Sequence, residues 1–289
     1  MDERPAFAMR VRDVDETLAF YAGAAGFALV ERPPGEDVAL LRTLRGALVL
    51  VAGPGARDLG RYLGPDREPM DVGVTHAYVC PDVDEMAGRL VAQGVSGGHV
   101  VEMPWGDRRL SVPGPDGYRV LFVQVSGREL PAAEWFELYR RGPEELTGLV
   151  AGLSPAEMDR ARSPGEWTVR QMVHHTADGD DFWTTPIKVA LATPGRICDL
   201  GFYRNNDEWP AGLLYTAREV GPSLALLDAN RAHVAQLLEH VPDPWERQAL
   251  VRRPDGHEPA RMTVAAMVAM QARHALEHAA EIRDILGGS

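Results

Sequence analysis

Two cysteines, Cys80 and Cys198, are all that the 289 residues contain, and they lie far apart in sequence. That scarcity excludes a disulfide framework and makes a reducing cytoplasm the expected location. Lysine is scarcer still: of 30 basic residues only Lys188 is lysine, a compositional bias without mechanistic content. Positive charge as a whole is short, since 42 acidic residues leave a net charge of −12. Nucleic acid and anionic membrane are therefore excluded as expected partners, because either calls for a basic face. Neither half hides one: 13 basic and 18 acidic residues precede Gly127, and 17 and 24 follow it. No run approaches the ~18 apolar residues of a membrane span. Met1-Asp2-Glu3-Arg4-Pro5 is charged where a secretory signal would be apolar. The length exceeds a usual single core, so two domains of roughly 130–160 residues are expected.

Up to about Gly127 the chain reads as short strands, helices and turns in a pattern that occurs twice. Phe7 to Val11 is a strand candidate, followed by Asp13-Val14-Asp15-Glu16, an acidic helix start with Asp13 as cap. Leu18, Phe20, Tyr21 and Ala25 form the helix face, and Gly26 stops it. Phe27–Val30, Val38–Leu41 and Ala47–Val51 are further strands, the last two joined by Arg45-Gly46. The second copy begins at Val74, with a strand at Thr75–Val79 and the helix start repeated as Asp82-Val83-Asp84-Glu85. Gly94 stops its helix. Strands at Arg109–Val112 and Tyr118–Gln124 flank the Pro113–Gly117 turn signal. Each copy reads βαβββ.

Arg12-Asp13-Val14-Asp15 with Phe20-Tyr21 and Gly26-Phe27, Asp82-Val83-Asp84, Pro104-Trp105-Gly106 and Pro115-Asp116-Gly117-Tyr118 resemble the glyoxalase/bleomycin-resistance (vicinal oxygen chelate) family over about residues 5–126. The resemblance implies paired modules enclosing a binding cavity. In enzymatic members a metal is held by a His or Gln in the first strand and a Glu in the last. Here Ala6 and Leu121 fall at those positions, and neither has a donor atom. His76 is one residue out of phase with the second module's ligand and is expected to be a strand histidine with a satisfied hydrogen bond. The N-terminal domain, residues 1–127, is thus expected to be metal-free and to bind an apolar or aromatic small molecule. Trp105 and Tyr118 are candidate stacking surfaces, with core packing the equal alternative.

From about Leu130 the periodicity becomes long and helical. Ala132–Leu153 carries an apolar face interrupted by Gly142-Pro143, which is expected to break the helix. Ser154-Pro155-Ala156-Glu157 is a capping signature. Thr168 caps a second long helix running toward Ala192, where Thr193-Pro194-Gly195 ends it. A polar, loop-like stretch passes through Asn205, Asn206 and Pro210, and Ser223–His240 is a third helix with Leu224, Leu227, Val234, Leu237 and Leu238 inward. Thr263 caps a fourth. The fold class is therefore α+β: paired βαβββ modules followed by an all-α four-helix bundle over residues 130–289, with metal sites open to its interior.

On the fourth helix, His274 and His278 stand four residues apart in a run (Met262–Leu286) free of Gly and Pro. That spacing stacks two imidazoles on one helix face, where they can share a metal ion. Two half-exposed surface histidines would show the same spacing, so the pair alone does not define a site. A third candidate lies upstream, in Val173-His174-His175-Thr176. The segment Pro164–Asp178, with Trp167 followed eight residues later by His175, resembles the second-helix signature of the DinB family and its YfiT-like thiol-transferase branch. Ser223–Leu227 and His274-x-x-x-His278 match the same branch, over about residues 131–286. The resemblance implies a divalent metal, zinc or nickel, held by His175, His274 and His278. His174 points about 100° away from its neighbour and is not interchangeable with it.

Three neutral histidines leave a coordination position open for water or a thiolate. The resemblance implies a thiolate, with mycothiol or bacillithiol as co-substrate and a small electrophile as substrate. The expected function is then a detoxification or resistance enzyme, helped by the N-terminal cavity. The alternatives are a drug-binding protein without turnover, its bundle forming a homodimer, and a metal-dependent hydrolase. Catalytic side chains are not identified. Asp178, Asp180 and Asp181 are candidate acceptors for the second ring nitrogen of His175, or else a solvated helix face.

Overall fold

The computed structural model describes residues 4–63, 75–95, 98–162, 165–202, 208–252 and 258–287. The expected start at Val74, the signature residue Pro164 and the polar residues Asn205 and Asn206 lie outside these. The chain divides into two compact units, Met1–Arg128 and Glu129–Ser289.

The first unit contains two βαβββ modules. One runs β1 (Phe7–Arg10), α1 (Val14–Leu18, continuing as a wider π-turn over Ala19–Ala24), β2 (Ala28–Glu31), β3 (Val38–Arg42) and β4 (Leu48–Ala52). A short α2 (Gly60–Leu63) follows. The other runs β5 (Thr75–Val79), α3 (Val83–Ala92), β6 (Val100–Glu102), β7 (Arg108–Pro113) and β8 (Arg119–Gln124). Sheet orders are β1-β4-β3-β2 and β5-β8-β7-β6, so the duplication extends to topology. In each module the first and last strands pair in parallel, while the other pairings are antiparallel.

Local chemistry sets the helix limits. The Asp13 carboxylate accepts the Glu16 N–H, and that of Asp82 accepts those of Asp84 and Glu85, filling donors a helix start leaves unpaired. Gly26 and Gly94 take φ of 76° and 80°, which a side chain would resist. The strand β6 and the helix α2 were not visible in sequence. Each is too short to show a period.

Trp105 and Tyr118 are both 1% exposed. The Trp105 indole N–H donates to Asp107 and the Tyr118 hydroxyl donates to the Arg10 carbonyl. They are core residues with satisfied polar ends, and the stacking-surface expectation is corrected. His76 also departs from expectation. It is 3% exposed, packs on Phe7 and Tyr118 at ring distances of 5.0 and 4.7 Å, and neither ring nitrogen has a hydrogen-bond partner among the described residues. Burial holds its pKa down at about 4.

The second unit is built on four long helices: α4 (Ala132–Val150), α6 (Val169–Ala192), α8 (Gly221–His240) and α9 (Val264–Gly287). Two short helices, α5 (Pro155–Met158) and α7 (Glu208–Gly212), lie in the connections. In space α4 and α6 each pack against both α8 and α9. Val173, Leu227, Ala275, Ala279 and Ile282 meet in the core. Capping boxes open α5 (Ser154 with Glu157) and α6 (Thr168 with Gln171). The Thr263 hydroxyl accepts the Ala266 N–H at the start of α9.

A three-stranded sheet was not anticipated: β9 (Ile197–Asp199) pairs in parallel with β10 (Gln248–Arg252), which pairs antiparallel with β11 (Ala260–Thr263). Its strands have three to five residues, below what a sequence period can reveal.

Gly142-Pro143 does not break α4, contrary to expectation. Proline at 143 has no N–H to give the Tyr139 carbonyl. Arg231 Nη1 takes that place, donating to the Tyr139 carbonyl at 2.6 Å. A Cβ on Gly142 would lie 2.3 Å from the same Nη1, so the glycine gives the guanidinium its space. The dipeptide is a docking notch for an arginine of another helix.

Candidate metal centre

His175 lies on α6, and His274 and His278 on successive turns of α9. The packing of these helices brings the three rings together, with centroids 4.7 to 5.2 Å apart. Nε2 of His274 is 3.0 Å from Nε2 of His175 and 3.2 Å from that of His278. One ring nitrogen carries one proton or one lone pair, so His274 cannot satisfy both neighbours by hydrogen bonding. Nitrogens held at ~2.0–2.1 Å by a tetrahedral ion would be roughly 3.3 Å apart. The three-histidine cluster fits a divalent metal.

Electrostatics agree with that donor set. Burial, with a smaller contribution from His278, holds the His175 pKa down at about 3. Burial also puts His274 well below the ordinary range, reinforced by His278, His175 and Arg231. Both rings are therefore neutral at physiological pH, with lone pairs available. Burial lowers His278 too, but the Glu281 carboxylate, helped by Glu277, raises the pKa on balance. His278 Nδ1 lies 2.7 Å from Glu281 Oε2, the carboxylate–histidine pairing that turns Nε2 toward a metal. The Trp167 ring meets His175 edge-on at 4.5 Å and fixes its plane.

His174 does not join the cluster. It is fully buried, with Nδ1 2.8 Å from Ser223 Oγ and Nε2 3.3 Å from the Arg218 carbonyl. The three nearby aspartates have other partners than His175. Asp178 accepts from Tyr215 and Trp209, Asp180 pairs with Arg231, and Asp181 accepts from Asn230. They are also not one solvated face, since Asp180 is 1% exposed.

Three contributors escaped the sequence reading. Glu281 had a usable signal, its i, i+3 spacing from His278. Arg231 interrupts the buried stripe Leu227, Val234, Leu238, which marks a core charge in need of a partner. Gly179 is used for space: a Cβ there would sit 3.0 Å from His274 Cε1. A groove of about 460 Å³ on α9 is lined by Met270, Arg273, His274 and Glu277 among others.

A four-helix bundle with converging histidines from two helices, joined to paired βαβββ modules, defines the class. Residues 138–282 match the family model of the DinB superfamily, and the chain belongs to that family. Residues 5–122 match the Glyoxalase/Bleomycin resistance protein/Dioxygenase superfamily. Among similar proteins is a "Putative metal-dependent hydrolase" of Geobacillus thermodenitrificans, 30% identical over 152 residues, covering 53% of this chain and 82% of its own. A counterpart of the same name from Geobacillus kaustophilus is 28% identical over 155 residues, with the same coverage. Among solved structures, YfiT from Bacillus subtilis, described as a probable metal-dependent hydrolase with an unusual four-helix bundle topology, aligns at 21% identity with a TM-score of 0.46. That alignment covers 56% of this chain and 94% of YfiT. No helix among the described residues is long and apolar enough to cross a membrane.

Proposed function

We propose that the C-terminal unit is a metal-dependent enzyme in which His175, His274 and His278 hold zinc or nickel and a low-molecular-weight thiol is activated against a small electrophile. The convergence of three Nε2 atoms on one point carries this reading. When bound, a divalent metal supplies Lewis acidity that lowers the pKa of a thiol or water at its open position. The chain's own residues present His175 and His274 as neutral imidazoles and orient His278 through Glu281. Along α9 they line the groove through which a substrate reaches His274. Mycothiol or bacillithiol is the co-substrate class, and the N-terminal unit binds the small molecule without a metal of its own, Ala6 and Leu121 having no donor atoms.

A second reading, hydrolysis with water as nucleophile, is favoured by the name carried by the relatives. Elemental analysis of purified protein beside His175→Ala/His274→Ala tests the common basis. About one metal per chain is expected in the first and none in the second, and equal content in both would remove the site. Turnover of electrophile and ester panels with and without added thiol separates the two nucleophiles.

A further inference from the structure

Arg231 of α8 is 2% exposed and binds all three other long helices. Its Nε donates to Asp180 Oδ1 of α6 at 2.9 Å, Nη1 to the Tyr139 carbonyl of α4 at 2.6 Å, and Nη2 to the Gln271 carbonyl of α9 at 2.9 Å. The α6 and α9 partners adjoin the histidine cluster. Gln271 precedes His274 by one turn, and Asp180 follows Gly179, whose Cβ position is 3.6 Å from His274 Nδ1.

Three polar atoms in this neighbourhood are buried and without a hydrogen-bond partner among the described residues: Asp180 Oδ2, Gln271 Oε1 and His274 Nδ1. With Nε2 of His274 turned to a metal, Nδ1 carries the proton and is a donor, while the two oxygens are acceptors. One water has two O–H groups to donate and lone pairs to accept with, which matches one donor and two acceptors in kind and number. We propose that Asp180 and Gln271 hold the His274 Nδ1–H through one buried water, with Arg231 fixing the Asp180 carboxylate and the Gln271 main chain, and so act as positioning residues for the His274 ligand. This rests on the three-histidine reading above. It gives the buried ion pair a role beyond packing, which the net energetics of such pairs do not by themselves supply.

The test uses the full chain, stripped of metal and titrated with zinc. Asp180→Leu/Arg231→Met removes both charges together and so avoids the unpaired buried charge of a single replacement, at the cost of the donors to the Tyr139 and Gln271 carbonyls. Zinc binding is expected to weaken about 10- to 100-fold with cooperative unfolding retained. Gln271→Leu deletes one acceptor, leaves the ion pair intact, and is expected to cost about tenfold; it decides the matter if the double variant does not fold. In the metal-free protein, ¹⁵N NMR of the histidine rings is expected to place the His274 proton on Nδ1 in wild type and to find it redistributed toward Nε2 in either variant. A folded variant with wild-type zinc affinity and an unchanged His274 tautomer overturns the proposal. If wild type itself takes up no zinc, the metal reading fails, and the tautomer measurement, made without metal, still decides this one.

Discussion

Replacing Gly179 with alanine adds one methyl group to α6 where the helix faces the His274 ring. The new Cβ would stand 3.0 Å from Cε1, at least about 0.5 Å inside ordinary carbon–carbon contact. Glycine within a helix costs about 1 kcal/mol relative to alanine, so helix propensity favours the substitution. Without metal no coordination bond holds the ring, and it can give by the few tenths of an ångström that the new Cβ requires. The metal-free protein should therefore keep its Tm or gain up to about 4 °C. Metal sites tolerate ligand displacements of only about 0.2 Å, so the same shift of the ring should weaken zinc binding about tenfold or more. Calorimetry of metal-free protein and competition titration against a chromophoric chelator measure the two quantities separately. A variant that is stabilised yet binds zinc as tightly as wild type would refute the claim that Gly179 sets the His274 position.

Three further outcomes follow from other parts of the molecule. His76 has a pKa of about 4 when folded against ~6.5 unfolded, so the unfolded chain takes up the proton first as pH falls. Stability of the N-terminal unit is whole above pH ~6.5 and falls by about 3 kcal/mol on acidification to pH ~4. His76→Phe should flatten that dependence in urea titrations, and an unchanged slope would sink the assignment. Arg231→Met alone leaves the Asp180 carboxylate buried without its cation and should destabilise the bundle by about 3–5 kcal/mol in denaturant unfolding, a larger loss than for the double replacement. Thr168→Ala removes the side chain that accepts the Gln171 N–H and should cost about 1 kcal/mol by thermal unfolding.

Much of the architecture was legible because its signals are local. Asp13, Asp82, Ser154, Thr168 and Thr263 announce helix starts by the chemistry of a short polar side chain beside unpaired N–H groups. Gly26 and Gly94 announce helix ends by backbone conformations that side chains resist. The duplication of the first half was readable from the repeated Asp-Val-Asp-Glu. Gly142-Pro143 misled because a break is inferred from one helix in isolation, whereas the orphaned Tyr139 carbonyl is met by Arg231 from 92 residues away.

The histidine cluster divides the same way. Spacing by itself put His274 and His278 on one face of one helix, and resemblance to the DinB family signature singled out His175. Only the packing of α6 against α9 decides that these nitrogens converge to 3.0 and 3.2 Å, and that His174, one residue away, spends both its nitrogens on Ser223 and Arg218. The same packing decides that Gly179 gives the His274 ring its space and that Asp180, instead of serving His175, pairs with an arginine of α8. Periodicity along a chain fixes which residues share a face. Which faces meet, and what a buried charge finds there, is set by contacts between residues that sequence order keeps apart.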